Sequence, residues 1–310
     1  MDLRKPVVLI NLSGSSSGDI SSELNALFTR YNYDPPTVLK GESSDMKAMM
    51  DAMRAEEGDI LIAYGGDGTS GAVASIAREQ GVPFISLPGG TMNMLMKGLY
   101  GSEDWGTCLL RALACAKPRP MTAGVVSDDR GERGRFMVGC MFGQPTEMSE
   151  AREELRDGNV ADAVTGALDA MRKTEEAPPL YFALEDGDYA GRPLELLNVT
   201  CPFMDGQALD PDVFDITMFE TVTGGSTFSL GFAALMGNLR QSEQVDTVRT
   251  DSFRLRADYP IRGLLDGEAH EFEGEVRVQL IKDSGLVLAP QPAISFPVAR
   301  ARAEREAALT

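Results

Sequence analysis

Two glycine-rich turns constrain this chain more than any other feature of its sequence. They are GGDGT at residues 65–69 and PGGT at residues 88–91, and each stands between a short apolar run and a helical pattern. The first third of the chain repeats this alternation, which predicts a parallel sheet flanked by helices. Because ligands gather at the carboxyl ends of strands in open α/β sheets, we expect the ligand site at these turns.

The pattern changes near residue 121. The segment 116–120, with two prolines, interrupts the alternation, and short β-like runs follow at 135–140, 181–185, 194–200 and 275–281. Before it, we predict strands at 7–12, 59–64 and 83–87 and helices at about 21–31, 45–57, 70–80 and 102–116. Later helical patterns occupy about 147–173 and 299–309. We therefore predict an α/β domain of residues 1–121 with the tail 293–310, and a β-rich domain of residues 122–292.

Charge and composition exclude several classes of function. The 310 residues are 43% hydrophobic and 25% charged, as in a globular protein with a real core. A net charge of −18 opposes binding to nucleic acid and strong docking to anionic membranes. No stretch approaches the roughly 20 apolar residues of a membrane span. The first apolar run predicts a strand, not a signal peptide.

Cysteine and histidine usage narrows the chemistry further. The four cysteines, Cys108, Cys115, Cys140 and Cys201, form no CxxC pair, which fits a reducing cytoplasm. The lone histidine, His270, argues against a Ser/His/Asp hydrolase and a histidine-rich metal site.

The first glycine turn has the properties of a phosphate-binding loop. Gly65, Gly66 and Gly68 allow backbone N–H groups to approach phosphate oxygens, and the helix that follows offers its positive end. Asp67 is able to hold Mg²⁺ or its water shell. The alternative is a tight turn without a ligand, because glycine clusters also occur in such turns.

Two further segments lie at the same predicted edge of the sheet. Gly89, Gly90, Thr91 and Asn93 form the second turn and open another helix. Asn11 ends the first strand and precedes a serine- and glycine-rich loop, which would close over phosphates or serve as a solvated turn.

Together these motifs resemble those of the diacylglycerol kinase catalytic family, which includes sphingosine and ceramide kinases. The resemblance rests on Asn11, on GGDGT at 65–69 and on LPGGTMN at 87–93. It implies a three-layer α/β domain like that of NAD kinases and diacylglycerol kinases, followed by a β-sandwich domain. It also implies ATP and Mg²⁺ as cofactors, with Thr69 and the glycines contacting the nucleotide.

A fourth match, LLDGE at 264–268, extends the resemblance towards the C-terminus. In the family this element brings acidic groups to the γ-phosphate end of a cleft between the domains. The resemblance implies that Asp266 accepts the proton of the lipid hydroxyl while Glu268 assists, with Asp67 as the rival base. Asp-Gly between β-like runs is also a hairpin-turn signal, so a structural role is the alternative.

The segment 205–215 is similar to an acidic family loop that holds a structural Mg²⁺. Asp212 and Asp215 are the candidate ligands, and solvation of the loop by its carboxylates is the alternative.

Three positions depart from the family pattern. Leu12 replaces the usual proline, Ala72 a common glutamate and Met94 a common aspartate, whereas Lys97 keeps a basic position. These departures bear on phosphate affinity and substrate identity.

The expected function is phosphoryl transfer from ATP to a lipid hydroxyl, with diacylglycerol as the first acceptor to test. A soluble cofactor kinase such as NAD kinase is one alternative, and a nucleotide-binding regulator with little turnover is another. We expect a cytoplasmic protein that contacts membranes transiently, and its oligomeric state stays open.

Overall fold

The computed structural model describes residues 5–13, 18–91, 93–101, 103–115, 117–143, 180–189, 194–201, 212–220, 245–266, 268–282 and 284–290. These described residues fall into two compact units. The first unit contains those up to Thr122 and from Lys282 onward, and the second contains those between Ala123 and Ile281.

A six-stranded sheet forms the centre of the first unit. Numbered along the chain, its strands are β1 Pro6–Asn11, β2 Thr37–Gly41, β3 Ile60–Gly65, β4 Pro83–Pro88, β5 Lys117–Pro120 and β17 Leu286–Ala289. Their order in the sheet is β2-β1-β3-β4-β17-β5, and all are parallel except β5, which runs antiparallel to β17. Every residue of β1 and β3 is buried, as expected for central strands with both faces covered.

Helices connect these strands in the order that the sequence predicts. The described helices of this unit are α1 Ser21–Arg30, a 3₁₀ turn Ser43–Asp45, α2 Met46–Ala55, α3 Asp67–Gln80, α4 Met94–Tyr100 and α5 Trp105–Cys115. α3 follows β3 almost directly, since only Gly66 separates them, and it ends where Gly81 takes the left-handed conformation (φ 70°). The first glycine turn is therefore both the end of a strand and the start of a 14-residue helix.

Three strands of this sheet differ from the sequence prediction. The segment that we expected to break the pattern forms β5, whose prolines are tolerated because β5 lies at the edge of the sheet. β17 pairs with β4 in the first unit, whereas we had assigned residues 282–292 to the second domain. β2, which we did not predict, pairs with β1 and carries the chain back to the ligand edge.

Two antiparallel sheets form the second unit. Their strands are β6 Ala123–Asp128, β7 Gly131–Phe136, β8 Gly139–Gly143, β9 Tyr181–Leu184, β10 Leu194–Thr200, β11 Phe214–Glu220, β12 Val245–Thr250, β13 Ser252–Arg256, β14 Ile261–Leu265, β15 Glu268–Phe272 and β16 Val276–Ile281. One sheet has the order β12-β11-β10-β8-β14-β15 and the other β7-β6-β16-β13-β9. Phe214 of the first sheet contacts Phe136 and Phe253 of the second, with ring centroids 5.7 and 6.4 Å apart, so the sheets pack face to face.

The predicted fold class, a parallel α/β unit followed by antiparallel β-sheets, is confirmed. The helical patterns predicted at 147–173 and 299–309 lie outside the described residues.

Gly124 gives a test of packing in the second unit. It lies opposite Phe136 across β6 and β7, and a Cβ at this position would overlap the ring of Phe136, which is fully buried. Because the ring has no room to retreat, Gly124→Ala should lower the free energy of unfolding by about 1–3 kcal/mol in urea titrations. Gly18→Ala is the control, since nothing lies within 4 Å of its Cβ. Equal stability of the two variants would contradict this packing.

Candidate functional site

The predicted ligand residues of the first unit lie at one edge of its sheet. β1, β3 and β4 are neighbours, and their carboxyl ends carry Asn11, the GGDGT turn and the PGGT turn. Gly65 pairs with Pro88 at the end of the β3–β4 ladder, so the turns leave the sheet side by side. The structure thus brings the three motifs together, although Asn11 precedes the two glycine turns by more than 50 residues along the chain.

The two glycine turns are packed backbone against backbone. A Cβ on Gly89 would stand 2.8 Å from the Cα of Gly65, and one on Gly90 would stand 2.5 Å from the Cα of Gly66. Real Cβ atoms do not approach backbone this closely, so the contact requires glycine. The glycines therefore serve the packing of the turns as well as any approach of a phosphate.

Internal hydrogen bonds hold the second turn. The N–H of Gly89 donates to the carbonyl of Gly65 (3.0 Å), and the N–H of Gly90 donates to Oδ1 of Asn93 (2.8 Å). The Nδ2 of Asn93 donates in turn to the carbonyl of Gly90 (2.6 Å). Asn93 achieves this in the left-handed conformation, which asparagine tolerates better than most residues. The second turn is thus a rigid support beside the first, with Thr91 exposed at its tip.

Asp67 connects the first turn to α4. Its Oδ2 accepts the N–H of Met94 (3.0 Å), and its Oδ1 accepts the N–H of Leu95 (2.9 Å). The carboxylate therefore satisfies two of the N–H groups that a helix leaves unpaired at its start, and its charge favours the positive end of α4. Met94, which departs from the family pattern, takes part through its backbone, and Lys97 further along α4 is exposed.

The N-terminus of α3 is arranged differently. The N–H of Ser70 makes the first bond of the helix, to the carbonyl of Gly66, and no side chain caps this end. Within the described residues, the backbone N–H groups of Asp67, Gly68 and Thr69 have no acceptor. Three such donors at the positive end of a 14-residue helix have the chemistry that an anion site requires.

Asn11 and Thr69 meet beside this helix end, and both are buried. The Nδ2 of Asn11 donates to Oγ1 of Thr69 (3.0 Å), and its Oδ1 accepts the N–H of Ser13 (3.1 Å). Ser43, which sequence reasoning missed, lies 3.4–3.5 Å from the Asn11 amide and donates its N–H to Oγ of Ser13 (2.8 Å). It was missed because its position depends on β2.

Asp266 of the second unit is held by backbone. Its carboxylate accepts the N–H groups of Met137 (2.7 Å), Val138 (2.8 Å) and Gly139 (3.0 Å), and its own N–H donates to the carbonyl of Gly139 (3.0 Å). Its backbone takes the left-handed conformation (φ 48°). Asp266 therefore fixes the β14–β15 turn to the start of β8. The alternative of a hairpin turn, in which this residue has a structural role, predicted part of this arrangement.

Glu268 differs from Asp266 in its surroundings. It is the first residue of β15 and is exposed, and within the described residues no hydrogen bond or ion pair engages its carboxylate.

The cysteines near Asp266 are unsuited to nucleophilic chemistry. Burial raises the pKa of both Cys140 and Cys201, and the negative charge of Asp266 raises the two values further. Both thiols are therefore protonated near neutral pH, which is typical of structural cysteines.

The predicted metal ligands, Asp212 and Asp215, do not form a complete coordination set with other described residues. Asp212 is exposed in a turn, and Asp215 lies in β11 with Arg249 3.7 Å away. The described part of the chain holds no group of three candidate ligands, and the rest of the acidic loop lies outside it. A structural Mg²⁺ at these residues stays a prediction.

No helix among the described residues is long and apolar enough to cross a membrane.

Residues 5–126 match the model of the diacylglycerol kinase catalytic domain. No curated protein matches the chain.

Three solved structures from Bacillus anthracis str. Sterne are similar to the whole chain. A candidate diacylglycerol kinase superposes with a TM-score of 0.63 at 16% identity, covering 94% of this chain and 100% of that one. A diacylglycerol kinase superposes with a TM-score of 0.60 at 15% identity, covering 95% of this chain and 99% of that one. A further candidate diacylglycerol kinase gives 0.62 at 18%, with the same coverage. At such identities the likeness shows a shared fold.

Proposed function

We propose that this protein is a lipid kinase that transfers the γ-phosphate of ATP to a lipid hydroxyl, because residues 5–126 match the model of the diacylglycerol kinase catalytic domain. The observation that carries the proposal is the uncapped N-terminus of α3, with three N–H donors beside the buried pair Asn11 and Thr69. Diacylglycerol is the first acceptor to test, and the protein would meet it at a membrane surface by transient contact.

The nucleotide phosphates would bind at the first glycine turn. The N–H groups of Asp67, Gly68 and Thr69 would donate to phosphate oxygens, and the helix dipole would favour their charge. Gly89, Gly90 and Asn93 would support this site by fixing the neighbouring turn.

Mg²⁺ would neutralise charge on the phosphates when bound, and the carboxylate of Asp67 would accept hydrogen bonds from water molecules around the metal. An ionised carboxylate has about four lone-pair sites, and α4 uses two of those on Asp67. The carboxylate is therefore able to fix α4 and accept hydrogen bonds from metal-bound water at the same time.

Glu268 is our choice for the proton acceptor. The sequence favoured Asp266, with Asp67 as its rival, but both of these carboxylates accept two or three backbone N–H bonds. A base has to approach the substrate hydroxyl, and the exposed carboxylate of Glu268 suits this task better. Asp266 becomes the residue that positions the turn from which Glu268 extends.

A regulator that binds nucleotide without turnover is the second candidate. It is favoured by the engagement of both Asp67 and Asp266 in backbone hydrogen bonds, which explains their presence without any catalysis.

Transfer of labelled γ-phosphate from ATP separates these functions. The acceptors would be diacylglycerol, sphingosine, ceramide, phosphatidylglycerol, a polyprenol and NAD, each with Mg²⁺, and ATP binding would be measured in parallel. We expect labelled lipid and no labelled NAD product. Labelled NAD product would instead support a cofactor kinase, and ATP binding without any product would support the regulator.

A further inference from the structure

The orientation of the Asn11 amide is fixed by a group that can only donate. The backbone N–H of Ser13 lies 3.1 Å from one amide atom of Asn11, so this atom must be the oxygen. The amide nitrogen then faces Oγ1 of Thr69 at 3.0 Å. Ser43 does not alter this assignment, because its hydroxyl near the Asn11 amide is able to donate or accept.

This orientation determines what the Thr69 hydroxyl is able to do. The amide N–H of Asn11 occupies one lone pair of Oγ1, so the hydroxyl proton has to point to another group. Thr69 is only 5% exposed, and within the described residues no acceptor receives this proton. A buried donor without an acceptor is costly, which is a reason to expect a ligand that supplies one.

The other polar groups at the start of α3 that lack a partner among the described residues are also hydrogen-bond donors. Thr69 is the third residue of α3, so it belongs to the same first helical turn as the backbone N–H groups of Asp67, Gly68 and Thr69 itself, which have no acceptors in the described structure. The oxygens of a deprotonated phosphate group are able to accept hydrogen bonds from these donors, whereas a ligand group that donates would find no acceptor among them.

We propose that Asn11 is a positioning residue that sets the polarity of Thr69, so that the hydroxyl donates to a phosphate oxygen of the bound nucleotide. This inference rests on the proposed function, because it assumes that the anion is a nucleotide phosphate. An aspartate at position 11 would have the opposite effect. It would draw the Thr69 proton to itself and leave a lone pair facing the phosphate.

A double-mutant cycle isolates this effect. Binding of ATP, ADP and adenosine with Mg²⁺ would be measured by calorimetry for the wild type, Asn11→Asp, Thr69→Val and the double variant. Asn11→Asp also repels phosphate directly, and its effect in the Thr69→Val background measures that repulsion alone. Thr69→Ser keeps the hydroxyl and serves as the conservative control.

Asn11→Asp should weaken ATP binding about tenfold more when Thr69 is present than in the Thr69→Val background, since a hydrogen bond to a charged group is at stake. Adenosine affinity should change little in any variant, because adenosine lacks the phosphates. Thr69→Ser should retain nearly all of the ATP affinity. A role of Asn11 that is only structural would instead weaken adenosine and ATP alike.

Different outcomes would contradict the role of Asn11 and the proposed kinase activity. Additive losses from Asn11→Asp and Thr69→Val, in a wild-type protein that binds ATP, would overturn the polarity inference alone. A wild-type protein that binds neither ATP nor ADP would overturn both the inference and the proposed kinase.

Discussion

Replacing Glu268 by glutamine should lower the rate of lipid phosphorylation by about 10²- to 10⁴-fold, the usual contribution of a general base. Glutamine keeps the size of the side chain and removes its basic oxygen. Because the Glu268 side chain is exposed and makes no hydrogen bond or ion pair within the described structure, the free energy of unfolding should not change. ATP affinity should also persist, since the proposed phosphate donors are the backbone N–H groups of Asp67, Gly68 and Thr69, which the substitution does not change.

Glu271→Gln is the matched control for this variant. Glu271 is another exposed glutamate of β15, and its ion pair with Arg262 is a surface contact of 3.7 Å that contributes little. Its replacement should leave turnover close to that of the wild type, and loss of the exposed ion pair should cost at most about 1 kcal/mol of stability. Similar turnover in Glu268→Gln and Glu271→Gln would rule out Glu268 as the base.

Asp266→Asn should behave differently from Glu268→Gln. An amide offers one oxygen to three backbone N–H groups and turns an NH₂ group towards at least one of them. We therefore expect a loss of stability together with any loss of turnover. Urea unfolding of the protein without nucleotide distinguishes the two variants, because only the positioning residue should change the midpoint.

The architecture near the ligand edge was predictable because periodicity and glycine turns are local signals. The alternation through β1, β3 and β4 indicated a parallel sheet, and Gly65 and Gly89 marked its carboxyl edge. β5 and β17 were not predicted as parts of this sheet, because their pairing depends on residues about 170 positions apart. A segment such as Lys117–Pro120 becomes a strand only when another strand offers it an edge.

The roles of the acidic residues were harder to predict for a related reason. Asp67 and Asp266 stand in motifs that bind ligands, but sequence cannot distinguish a carboxylate that serves a ligand from one that serves backbone N–H groups. In both cases the N–H donors belong to segments distant along the chain, at Met94 and Leu95 and at residues 137–139. Only the folded structure reveals how these carboxylates are engaged.

Asp67→Asn should lower the free energy of unfolding of the nucleotide-free protein by about 2 kcal/mol. The substitution removes one of the two oxygens that accept N–H groups at the start of α4, and it places an NH₂ group against a backbone N–H donor. Each oxygen of Asp67 accepts one N–H of α4, so a single amide oxygen cannot replace both. A carboxylate that served only the metal or the proton would leave this stability unchanged. Urea unfolding without nucleotide or Mg²⁺ therefore measures the structural role separately.

Asp104→Asn provides the matched control, because Asp104 caps α5 by a different arrangement. Its Oδ1 alone accepts the N–H groups of Gly106 (2.9 Å) and Thr107 (3.0 Å), so an amide oxygen can keep both bonds. The other oxygen, Oδ2, accepts the hydroxyl of Thr107, and the NH₂ group of an asparagine would instead donate to that hydroxyl. The main loss is then the charge near the helix start, at a cost of about 0.3–1 kcal/mol. Each carboxylate thus caps two N–H groups, but Asp67 uses both of its oxygens at α4 whereas Asp104 uses one at α5. If Asp67→Asn is no more costly than Asp104→Asn, the carboxylate does not hold α4 and its function lies in binding or chemistry alone.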